Sequence, residues 1–103
     1  MKNNDKKRNK NYLSSFQLLE RVIVYSDEQL LDLANLLKDQ RPILCSFELL
    51  EVATANKMIG FLSGVVYAMN GITSLTDEKT VLFAPGVCLE DGTLQQFIKE
   101  RNN

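Results

Sequence analysis

The chain has 103 residues and a mass of 11.7 kDa, which is room for one domain and not for two independent cores. Twelve Lys+Arg against thirteen Asp+Glu leave a formal charge of −1, which argues against a uniformly basic nucleic-acid binder. The chain has no His, and this removes Ser-His-Asp and Cys-His nucleophilic sites, His proton shuttles and His-ligated metals together.

The charge is concentrated at the start. Residues 1–10 carry a side-chain net of +4, from Lys2, Lys6, Lys7, Arg8 and Lys10 against Asp5, and the remainder carries −5. With Asn3, Asn4, Asn9 and Asn11 beside these charges, the segment has little to bury, so residues 1–19 are expected to be a basic, disordered tail. Contact with anionic lipid or with nucleic acid is the functional reading of such a tail. Tyr12, Leu13, Phe16 and Leu19 fall at helical spacing, which predicts a short amphipathic helix suited to a membrane surface. No run of about 20 predominantly apolar residues is present, and no apolar stretch of signal-peptide type follows the basic start. A cytoplasmic protein is expected.

Residues 20–103 form the expected core domain. Arg21–Tyr25 is β-branched and aromatic and reads as a buried strand. Ser26 with Gln29 makes a capping box, and Asp27 and Glu28 suit the positive end of the helix that follows. Leu30, Leu33, Ala34 and Leu37 form its apolar stripe, and Arg41-Pro42 stops it. Ile43–Phe47 is a second strand, so a right-handed parallel crossover is expected. A second helix runs from Val52 to Ser63, with Gly64 as its stop. Val65–Met69 reads as a third strand and Asn70-Gly71 as a hairpin turn. Ile72–Leu75 and Thr80–Ala84 are further strands around a turn at Thr76–Lys79. Val87–Leu89 reads as a short edge strand, and Thr93–Arg101 as a terminal helix.

The expected fold class is therefore α/β, an α+β sandwich with the order βαβα followed by an antiparallel meander. The two main helices cover one sheet face. The other face is also apolar and wants a cover, for which a second copy of the chain is the simplest candidate, so a homodimer is expected. Cys45 and Cys88 lie 43 positions apart, neither in a C-x-x-C, and both within apolar runs. They read as buried free thiols rather than as a metal or redox pair.

The sequence offers little chemistry. The five glycines match no phosphate-binding fingerprint. Glu48 with Glu51, and Asp77 with Glu78, sit where carboxylates are ordinarily solvated. Neither a catalytic residue nor a cofactor or metal ligand is expected, and the chain does not read as an enzyme.

Three stretches resemble the SepF family of bacterial cell-division proteins. They are Arg41-Pro42-Ile43-Leu44-Cys45-Ser46-Phe47, then Ile59-Gly60-Phe61-Leu62-Ser63-Gly64-Val65-Val66-Tyr67-Ala68-Met69-Asn70-Gly71, then Val81-Leu82-Phe83-Ala84-Pro85-Gly86-Val87. Phe61-Leu62-Ser63-Gly64 followed by Tyr67-Ala68 is the most specific piece. The resemblance implies a dimeric α/β adaptor that binds the C-terminal tail of the tubulin-like protein FtsZ at the division site and supports septum assembly. It further implies polymerisation of dimers, and tethering of FtsZ to the membrane through an N-terminal amphipathic helix on an acidic linker. This sequence departs from the pattern in three ways. No long acidic linker precedes the first strand. Ser74 or Leu75 stands where the family tends to carry a basic residue, and Val81 stands where it usually carries an aromatic, with Phe83 two positions on. The resemblance implies Leu75, Val81 and Phe83 for the FtsZ-tail surface and Gly64 and Tyr67 for self-association. The alternative to this reading is a small nucleic-acid-binding domain that uses the basic tail. That reading requires exposed aromatics interleaved with basic residues on the sheet, and the strands carry almost no Lys or Arg.

Overall fold

The computed structural model describes residues 13–101. Strand β1 (Glu20–Ile23) pairs in parallel with β2 (Ile43–Ser46), so the expected crossover is present. Strands β3 (Ile72–Asp77) and β4 (Thr80–Ala84) form a hairpin, and β4 inserts antiparallel beside β2. The result is a mixed four-stranded sheet in the order β1-β2-β4-β3, with β1 and β3 at its edges.

Helix α1 (Leu30–Lys38) is introduced by a single 3-10 turn at Asp27–Gln29. The expected capping box forms: Ser26 Oγ accepts from the Glu28 amide, and the Gln29 side chain accepts from the Ser26 and Tyr25 amides. The same Gln29 side chain donates to the Ile23 carbonyl, so one residue ties the end of β1 to the start of the helix. The helix ends in a Schellman turn. Gln40 takes φ 66°, its amide bonds to Leu37 O, and the Arg41 amide bonds to Leu36 O. Pro42 then begins the return to the sheet as a buried residue.

Helix α2 corrects the sequence reading. It runs without interruption from Val52 to Ala68, so the expected stop at Gly64 and the expected strand Val65–Met69 do not exist. The physical reason lies at its end. Asn70 takes φ 58°, its amide bonds to Tyr67 O, and the Gly71 amide bonds to Val66 O at 2.7 Å. Asn70-Gly71 is thus a second Schellman cap rather than a hairpin turn. Both turns need positive φ, and local sequence does not separate them. The meander consequently shrinks to the β3–β4 hairpin. The expected edge strand at Val87–Leu89 is a 3-10 turn over Gly86–Leu89, because β4 is already flanked on both sides. Helix α3 occupies Thr93–Arg101 as expected.

Two cores lie back to back across the sheet. Helices α1 and α2 pack Leu33, Leu37, Met58, Leu62 and Val66 onto Ile43, Cys45, Val81 and Phe83. On the opposite face Leu82, Ala84, Cys88, Leu94 and Leu19 form a second cluster, joined by Phe97 and Ile98 of α3. Part of the face expected to need a partner is therefore covered by the chain itself. Strand β4 alternates between the two clusters, and this explains why Val81 through Ala84 are all buried.

At one end of the sheet the α2 cap and the chain after β4 approach backbone to backbone. The Gly86 amide bonds to Met69 O, and a β-carbon at Gly86 would lie 2.6 Å from Asn70 O and 2.7 Å from Met69 O. A β-carbon at Gly71 would collide with Ala84 O. Gly64, by contrast, faces open space in mid-helix. Both cysteines are free and buried, as expected, and burial pushes the thiol of Cys45 up to about 12 and that of Cys88 to about 11, the latter with help from the charges of Asp91 and Glu90.

Two predictions follow from this packing. Gly86→Ala should cost about 1–3 kcal/mol and Gly64→Ala should gain about 0.5–1 kcal/mol, both read from urea midpoints at constant slope. Both thiols should resist a maleimide reagent at pH 8 in the native protein and react fully in denaturant; rapid native labelling of Cys45 would contradict its position in the core.

Candidate functional site

The site is built on the register of the hairpin. Leu75 lies opposite Val81, and Thr73 opposite Phe83, so all four point to the face that carries α1 and α2. Thr73 is tied to α2 by a hydrogen bond from its hydroxyl to Ser63 Oγ at 3.1 Å. Leu75 has no such cover and is 61% exposed on the edge strand. Beside it the β2–α2 connection brings in a second apolar wall. Phe47 closes this wall onto the hairpin, its amide donating to Lys79 O at 2.8 Å, and its ring meets that of Phe83 edge-on at 6.5 Å.

Between these walls lies an apolar cleft of about 130 Å³. Leu75 and Val81 line one side; Phe47, Leu50, Val52, Ala55 and Ile59 line the other. Asn56, Glu78 and Lys79 stand among its polar lining residues. The volume falls below the roughly 300–1,000 Å³ of a cofactor or substrate pocket and suits one or two apolar side chains of a peptide. The turn that borders the cleft is closed by hydrogen bonds, among them that from the Lys79 amide to Asp77 Oδ1 at 3.1 Å. Hydrogen bonds from the Thr80 side chain and from the Lys79 amide, with the nearby Arg101, hold the Asp77 carboxyl below its ordinary value.

The residues that the resemblance implies for a partner surface thus divide. Leu75 and Val81 reach the same cleft. Phe83 does not: it is fully buried in the first core, edge-on to Phe47, and its role there is support. The sequence places Val52 and Ile59 on the second helix and singles out Glu48 and Glu51 before it, but it assigns none of Leu50, Val52 and Ile59 to a partner surface. The signal was the run of apolar residues that continues past the strand, Leu49, Leu50 and Val52, two of which remain exposed.

Gly64 and Tyr67 lie on the outer side of α2. Gly60, Gly64 and Tyr67 follow one another at i, i+4 and i+7 and so share a helix face. Tyr67 is 82% exposed, which removes it from the core, and Phe61 is also exposed. A β-carbon at Gly60 or Gly64 would meet no other atom within 4 Å, so this face is open.

The residues expected to contact a membrane are placed differently. Tyr12 lies outside the described residues. The stretch Ser15–Leu18 is a turn and not the expected amphipathic helix. Ser14 and Gln17 trade side-chain-to-amide hydrogen bonds that close this turn, and Leu19 is drawn into the second core. Phe16 packs on Phe97, with ring centroids 5.4 Å apart, and of the four only Leu13 is both described and largely free of the fold. Arg21, the one cation on the strands, sits over the Phe16 ring at 5.7 Å, so the sheet offers no alternation of free cations and aromatics to a nucleic acid. Among the described residues no cluster of three or more Cys, Asp or Glu could hold a metal, and no helix is long and apolar enough to cross a membrane.

Comparison with known proteins agrees with this architecture. The family model described as "Cell division protein SepF" matches residues 22–87, from β1 to just past β4. The chain is 33% identical over 76 residues to the cell division protein SepF of Brevibacillus brevis, covering 74% of this chain and 52% of that one. It is 29% identical over 80 residues to that of Lactobacillus helveticus (78% and 54%), and 28% identical over 89 residues to that of Listeria monocytogenes (86% and 57%). The chain spans about half the length of the curated relatives it matches. The matched stretch holds the second half of β1, all of β2, β3 and β4, α1 and α2, and the cleft beside Leu75: the chain belongs to the SepF family of cell division proteins.

Proposed function

We propose that this protein is a non-enzymatic adaptor of cell division that binds the C-terminal tail of FtsZ in the cytoplasm, at the division site, and supports septum assembly. The observation that carries this reading is the apolar cleft at Leu75 and Val81, which opens beside a free sheet edge and accommodates side chains of a short peptide. The family membership supports a role in division. In this reading Leu75, Val52 and Ile59 contact the peptide, and Phe83 holds Phe47 in place. The membrane is not assigned to residues 13–19, because Phe16 and Leu19 are engaged in the fold.

The reading includes a second copy of the chain. The outer face of α2, with Gly60, Gly64 and Tyr67, suits close helix–helix approach, since neither glycine fills its space and an aromatic stands unburied beside them. The remaining exposed part of the opposite sheet face, at Ile23 and Tyr25, gives a weaker case, because α3 covers the rest.

Titration calorimetry with a synthetic FtsZ tail peptide tests the first part. Saturable binding is expected for the native chain, and Leu75→Glu should weaken it at least about tenfold without loss of helical circular dichroism. No binding by a folded protein would sink the reading. Phe83→Ala is a poor probe here, because it should destabilise the fold by about 3–5 kcal/mol. Sedimentation tests the second part: Gly64→Lys should shift the chain toward the monomer, and an unchanged mass would remove α2 from the interface.

A further inference from the structure

Residues 14–19 precede the first strand, yet they are held by the far end of the chain. The anchor is Asp91, ahead of α3. Its Oδ2 accepts the Ser15 amide at 2.8 Å, and its Oδ1 accepts the Thr93 amide at 3.0 Å and the Thr93 hydroxyl at 2.8 Å. Thr93 Oγ1 in turn accepts the Phe16 amide at 3.0 Å. One carboxylate therefore caps the helix and holds the segment in the same act. Partial desolvation works to raise the Asp91 carboxyl, but the hydrogen bonds from Ser15 and Thr93 outweigh it and keep the group below its ordinary value. Further along, Phe16 packs on Phe97 at a tilt, Arg21 sits over the Phe16 ring, and Leu19 enters the second core.

These contacts have a common character. The polar ones are exposed, and they join two short elements to each other rather than to the sheet. The pair is tied to the sheet by Leu19, Leu94, Phe97 and Ile98 in the second core, and at the far end of α3 by Arg101, which pairs with Asp77 of β3 at 3.2 Å. The first core, under α1 and α2, takes nothing from them. Elements attached in this way open at lower free energy than the sheet they cover.

We propose that Ser14–Leu19 is a releasable strap latched to α3 by Asp91, and that unlatching bares the apolar end of the second core while the sheet and the first core stay folded. Release frees the rings of Phe16 and Phe97 together, because Asp91 and Thr93 serve both partners. The strap is also the stretch of chain between the basic residues 1–10 and β1, so the latch lies where those residues join the fold.

Amide hydrogen exchange by NMR on the full chain tests this. In Asp91→Ala the Ser15 amide, which loses its charged acceptor, should exchange roughly tenfold faster or more, and the Phe16 amide, held by the Thr93 hydroxyl that Asp91 orients, should speed up with it. The first-turn amides of α3 should follow, while those of β2, β4 and α2 stay within about twofold. Phe16→Ser, which leaves Asp91 in place, should loosen the same two elements from the other side. Unchanged exchange at Ser15 and Phe16 in Asp91→Ala overturns the latch. An equal loss of protection throughout β4 and α2 in both variants also overturns it, since the strap would then be part of the global fold.

Discussion

Strand β4 is the constraint on which the rest of the structure depends. It lies between β2 and β3, and its consecutive residues Val81, Leu82, Phe83 and Ala84 are all buried, two toward each face. A strand buried on both sides needs a cover on both sides. Helices α1 and α2 supply one, and α3 with Leu19 supplies much of the other. The hairpin that delivers β4 also leaves β3 at an edge, and the exposed Leu75 follows from that position. The cleft is thus a consequence of the sheet order.

The same constraint separates support from contact. Side chains on β4 cannot themselves present a large surface, because each is claimed by a core. Val81 lines the cleft but is itself almost wholly buried, and Phe83 lies behind it against Phe47. What a partner can touch comes from the edge strand, from the β2–α2 connection and from the first turns of α2.

The second face carries a different balance. Its cover is short and is fastened partly by exposed polar contacts, so it contributes less cooperativity than α1 and α2 do. The consequence is a domain with one firm side and one side that opens more easily. The outer face of α2 belongs to the firm side.

Much of this was legible in the sequence. The capping box at Ser26, the parallel β1–β2 crossover, strand β4, the terminal helix and the buried thiols all rest on local pattern or on connection rules, and all are present. Two things were not legible. Val65–Met69 is apolar enough for a strand or a buried helix, and Asn70-Gly71 suits a hairpin turn or a Schellman cap equally; only the packing of Val66 against the sheet chose the helix. The exposure of Leu75, the burial of Phe83 and the bond from Ser15 to Asp91 join residues far apart in the chain. Local propensity determined which elements exist, because capping and periodicity act over a few residues. Tertiary structure alone decided which side chains stay exposed, because exposure depends on what else packs there.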